Sequence, residues 1–122
     1  MKLKKVVTFE VDDKIAESII KLNNKGFETA MCCSGHPDEK DIIPYVMFNR
    51  FVSYGIEYIP FGWVADERFK ELVIRRFFTD EEKEIFTKEQ LVDIAAKELD
   101  NWVDSLSEFK NPYQNIIEME VI

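Results

Sequence analysis

The chain has 122 residues, 46% hydrophobic and 33% charged, with four glycines, four prolines and two cysteines; that mixture buries a core, excludes a disordered chain and fits one domain over residues 1–122. A net charge of −8 argues against binding to a phosphate backbone, so nucleic acid is not an expected partner, and no apolar run is long enough to cross a bilayer, so no membrane is expected either. Two adjacent cysteines cannot build a disulfide framework, and the basic start is followed by too short an apolar stretch for a signal peptide; the expected compartment is the cytoplasm.

The charge is uneven. Residues 1–50 are neutral, with eight acids and eight bases, so residues 51–122 carry the whole excess; ten acids and three lysines fall within Asp80–Glu108. In chain order, alternation over Lys5–Val11 predicts a first strand. Asp12 or Asp13 then caps a helix whose stripe is Ile15, Ile19 and Leu22 and whose stop is Gly26. A second strand, Phe27–Cys33, puts Phe27, Thr29, Met31 and Cys33 on one face. A polar loop leads to a third strand at Pro44–Asn49, then an aromatic-rich stretch with a short strand at Ile56–Ile59, and another strand within Lys70–Phe78. Thr79-Asp-Glu-Glu82 and Thr87-Lys-Glu-Gln90 read as capping boxes, the second opening a long amphipathic helix from Lys88 to Leu106. Asn111 and Pro112 break the chain before a last strand, Asn115–Ile122. These elements predict an α+β fold: a mixed or antiparallel sheet of about five strands with two helices packed on one face.

Chemistry concentrates in Cys32-Cys33-Ser34-Gly35-His36, which holds both cysteines and the only histidine at the end of a strand. Four readings fit. Cys33 and His36 have the spacing of half a zinc site, but no second Cys/His pair exists, so Asp38, Glu39, Asp41 or a second subunit would have to complete it and no metal centre is predicted. Cys33 activated by His36 is a nucleophile, and Cys32–Cys33 a strained vicinal disulfide. Ser34-Gly35-His36 presents backbone amides, a hydroxyl and an imidazole to an anion, with Arg50 at the end of the next strand reaching the same rim and the Tyr54–Trp63 loop bounding it. The reading without chemistry makes Cys33 a small core residue beside Met31 and Ser34-Gly35 a turn.

Residues 12–48, with Leu22-Asn23, Thr29 and Cys33-Ser34-Gly35 before the strand Tyr45-Val46-Met47-Phe48, resemble a segment of the wybutosine-synthesising tRNA methyltransferase family. The same stretch looks like one in small proteins of Gram-positive bacteria and their phages. His36 stands where the methyltransferase family carries Arg after Ser-Gly. The resemblance implies a shared local fold and a functional role for residues 33–36.

The leading expectation is a noncatalytic ligand-binding or regulatory protein with a small anionic ligand at Cys33, Ser34, Gly35, His36 and Arg50. The alternatives are a small enzyme using Cys33 and His36 in nucleotide- or RNA-related chemistry, and an acidic domain that mimics nucleic acid through residues 80–108. No cofactor follows from the residues, and an exposed strand edge offers a route to a homodimer by sheet extension.

Overall fold

The computed structural model describes residues 6–111 and 114–121. Lys5 and Ile122 of the expected outer strands, and Pro112 of the expected break, lie outside the described residues. Strand β1 (Val6–Val11) leads through a 3-10 turn (Asp13–Ile15) into α1 (Ala16–Asn24); β2 (Thr29–Cys33) and β3 (Tyr45–Phe48) follow. After a second 3-10 turn (Val52–Gly55) come β4 (Trp63–Ala65), β5 (Val73–Arg76), α2 (Asp80–Ile85), α3 (Lys88–Ser105) and β6 (Ile116–Val121). The fold is α+β, with an antiparallel four-stranded sheet in the order β2-β3-β5-β4. The first and last strands form a separate parallel pair, Val6 opposite Ile116 through Val11 opposite Val121.

The helices form for local reasons. Thr87 accepts from the Gln90 amide while the Gln90 side chain accepts from the Thr87 amide, and Thr79 and Glu82 do the same for α2. From there α3 buries Leu91, Ala95, Leu99, Trp102 and Val103 against Ile15 of the 3-10 turn and the α1 stripe of Ile19 and Leu22. Gly26 ends α1 at φ +97, and a Cβ there would stand 1.8 Å from the Phe109 carbonyl oxygen, so glycine serves both the left-handed turn and the close approach. Lys25 donates from Nζ to the Val103 and Leu106 carbonyls, satisfying the C-terminal end of α3, whose last turn has no basic residue of its own.

The sheet departs from simple alternation at one place. Thr29 pairs with Phe48 but Met31 pairs with Met47, so β2 carries one extra residue, a bulge, between them. Thr29 is therefore 1% exposed and Met31 54% exposed, although they stand two apart. This corrects the expected shared face. Cys32 joins the core-facing row with Val46 and Ile74, and Cys33 falls in the opposite row with Tyr45, Arg75 and Val64. Two further expectations change. The stretch 56–59 is irregular, and the edge strand forms instead at Trp63–Ala65, after Gly62 at φ +85. The strand expected within 70–78 shortens to Val73–Arg76, where Arg76 turns into the core side and Arg75 out, each onto an acid. Among the described residues no helix is long and apolar enough to cross a membrane.

Candidate functional site

The ends of β1 and β2 meet. Asp12 follows β1 in extended conformation and makes no helix-capping bond through its side chain. Its Oδ2 instead accepts from the Ser34 amide at 3.1 Å and the Ser34 hydroxyl at 3.0 Å. The expected cap is thus a cross-link between two strand ends. Gly35, at φ +84, bends the chain so that its amide donates to Cys33 Sγ at 3.4 Å; a Cβ there would stand 2.7 Å from Ile42 Cγ2. The bend returns His36 onto Cys33, with Nε2 3.4 Å from Sγ. A carboxylate oxygen of Asp12, Cys33 Sγ and a His36 ring nitrogen all lie within 4.8 Å of one another. Asp12, Ser34, Gly35 and His36 line a cleft of about 340 Å³, together with Asp13, Glu89 and Lys14, whose Nζ lies 2.9 Å from Asp93 Oδ1.

Burial pushes the Cys33 thiol above its ordinary range; the Gly35 amide counters this, and the carboxylates of Asp12 and Glu39 add to it. Cys32, facing the core, is pushed up to about 12 by burial first and then by Asp12 and Cys33. Tyr45, beside Cys33 on β3, is also raised, chiefly by burial. Both cysteines are free thiols.

The structure brings together Cys33, Ser34, Gly35 and His36 and leaves Arg50 out. In the antiparallel hairpin Tyr45 lies beside Cys33 and Phe48 beside Thr29, so the end of β3 points away from the site; the Arg50 guanidinium sits 4.8 Å over the Phe51 ring. The basic residue in the Cys33 row is Arg75, with Nε on Asp66 at 2.7 Å and its guanidinium 5.0 Å over the Tyr45 ring. The Tyr54–Trp63 loop does not bound the cleft: Tyr58 meets α3 through Trp102, and Trp63 donates to Glu98. Of the donors in the anion reading, three are engaged. The Ser34 amide and hydroxyl are given to Asp12 and the Gly35 amide to Cys33, and Asp12 adds negative charge.

Asp12 is the site residue that sequence reasoning missed. The signal for it was the doubled Asp12-Asp13 after a strand, where a cap needs only one carboxylate. Comparison of the chain with protein-family models, with curated proteins and with solved structures finds no match.

Proposed function

We propose that this is a metal-binding protein, in which Asp12, Cys33 and His36 hold a divalent cation of the zinc class. The observation that carries the reading is the convergence of their three donor atoms within 4.8 Å of one another. Zinc bonds of ~2.3 Å to sulfur and ~2.0 Å to nitrogen, at a tetrahedral angle, set those two ligand atoms about 3.5 Å apart. The Cys33–His36 separation is 3.4 Å. A sulfur, nitrogen and oxygen set suits zinc and its neighbours, whereas calcium and magnesium take oxygen alone.

The surroundings support the same reading. Ser34 holds the Asp12 carboxylate through Oδ2, and the Gly35 amide orients the Cys33 sulfur; such outer partners fix ligands in metal sites. A bound dication reverses the local acid–base order, so that the thiol binds as thiolate and its proton leaves on loading. Asp12, Cys33 and His36 would supply three ligands to such an ion, and water or a ligand atom would supply the fourth that zinc takes. The reading keeps the turn at 33–36 as the site and reverses the charge of what it binds.

Titration of the reduced, untagged protein with cobalt(II) and then zinc tests it. The expected result is one ion per chain, a cobalt–thiolate absorption band, and displacement of cobalt by zinc. Asp12→Asn, Cys33→Ser and His36→Ala should each abolish the band, Ser34→Ala should weaken affinity roughly 10–100-fold through the carboxylate it holds, and Cys32→Ser should leave both unchanged. Full cobalt binding by the His36→Ala and Cys33→Ser variants, or no thiolate band in the parent protein, would overturn the assignment.

A further inference from the structure

A second surface, independent of the metal site, lies where residues 54–61 cross the later half of α3. Phe61 is 95% exposed and Tyr54 83%, with Tyr58 between them also exposed. Large apolar side chains grouped on one loop mark an interaction surface more often than an accident of folding. Two cavities open beneath them and share Tyr58. The first, about 520 Å³, lies between Tyr58, Pro60, Phe61 and Trp102 and includes Glu98 and Asn101. The second, about 430 Å³, lies between Tyr54, Glu57, Tyr58 and the segment Ser105–Phe109, which includes Glu108. Together they make one groove with an aromatic end and a polar end.

The groove is preformed. Trp102 Nε1 donates to the Tyr58 carbonyl at 2.8 Å, and the Tyr58 hydroxyl hydrogen-bonds Ser105 Oγ, so the loop is tied to the helix at the point the cavities share. Gly55 lies flat on the Phe109 ring, where a Cβ would come within 2.4 Å of Cδ1, and that ring stacks on Phe27 of the core at 5.5 Å. Walls held this way cost little ordering when a partner arrives.

The charge of the groove identifies the partner. Among the described residues Glu57, Glu98 and Glu108 line it and no lysine or arginine does. Glu98 is neutralised by Arg76, while Glu57 and Glu108 make no ion pair with a described residue. We infer that this groove docks an extended, basic segment of another protein, an apolar side chain entering beside Phe61 and Trp102 and a lysine or arginine reaching Glu57 and Glu108. Carboxylate opposite cation gives selectivity and a fast encounter, and aromatic faces add affinity for a guanidinium or ammonium group. Phosphate-bearing partners are repelled by the same carboxylates. A second copy of this chain, at net −8, meets like charge.

The probe is a fluorescein-labelled peptide, Lys-Leu-Lys-Leu-Lys-Leu, with Glu-Leu-Glu-Leu-Glu-Leu as its counterpart, added to the full chain and read by fluorescence anisotropy. The basic peptide should bind in a salt-dependent way and the acidic one should not. Phe61→Ala and the double variant Glu57→Lys/Glu108→Lys should each weaken binding about tenfold or more. Glu81→Lys/Glu84→Lys, on the exposed face of α2, should leave it within twofold. All these positions except Phe61 carry exposed charges, and circular dichroism checks that each variant folds. Failure of the basic peptide to bind, equal binding of the acidic one, or an equal loss in the α2 variant would overturn the inference. Self-association of the parent protein in sedimentation, abolished by Phe61→Ala, would give the groove to a second copy and overturn it too.

Discussion

Two polar clusters stand at the same end of the four-stranded sheet, and they are built on opposite plans. Around Arg76 every donor is used: Nε and Nη2 reach Glu98, Nη2 and Nη1 reach Glu82, and Nη1 also reaches the Phe77 carbonyl. The guanidinium lies 4.5 Å over the Phe78 ring, and Trp63 adds a further bond to Glu98. That cluster is closed, cation and carboxylates having exhausted one another. Around Cys33 the Ser34 and Gly35 donors hold the Asp12 carboxylate and the Cys33 sulfur, and what converges is a carboxylate oxygen, a thiol sulfur and a ring nitrogen, with no lysine or arginine bonded to them among the described residues. Saturation marks a polar cluster that holds the fold together; the convergence of ligand atoms beside a cleft is what the proposed ion site rests on.

Breaking the closed cluster should have the larger cost. Arg76→Met leaves Glu82 and Glu98 without their cation on the edge of the core, and the expected loss is about 3–5 kcal/mol, measured by urea denaturation. His36→Ala, in the open cluster, should cost the metal-free protein less than about 1 kcal/mol in the same experiment, because His36 is exposed. Equal losses would erase the distinction.

Acid sharpens it. The Arg76 guanidinium, helped by the Thr79 amide, holds the Glu82 carboxyl at about 2, against an ordinary 4.5. A carboxyl lowered on folding contributes stability above its unfolded value and loses it as pH falls toward the folded one. Stability should therefore decline between about pH 5 and pH 2, and Glu82→Gln should flatten that decline in thermal melts taken across the window. The smallest effect is expected at Arg50. Exposed and at the far end of the hairpin, its change to Ala should move stability by less than about 0.5 kcal/mol and leave cobalt binding untouched.

What could be read from the sequence divides by range. Helix α3 and both capping boxes were legible because each depends on residues three or four apart, and the structure places Thr79, Glu82, Thr87 and Gln90 in those roles. The α+β class followed from the same local periods. The β2 bulge was not legible, since it arises from how Thr29 and Met31 meet β3, and it moved Cys33 off the core face. Asp12 escaped because its partner, Ser34, lies twenty-two residues on, while a plausible local role as a cap was at hand. Arg50 was misplaced by a rule of direction: in an antiparallel hairpin the start of the second strand, not its end, stands beside the end of the first. The site was visible as a composition of residues, Cys33 to His36, and invisible as a geometry.

The parallel pairing of β1 with β6 has a consequence in time. Val11, the residue before Asp12, is aligned with Val121, so the position of one donor depends on joining the two strands that lie farthest apart along the chain. Closing so long a loop is slow and entropically costly, whereas Cys33 and His36 are set by a hairpin of neighbouring residues. The place of the carboxylate thus rests on a pairing between the first and last strands, whereas the thiol and the imidazole are placed by residues close in sequence.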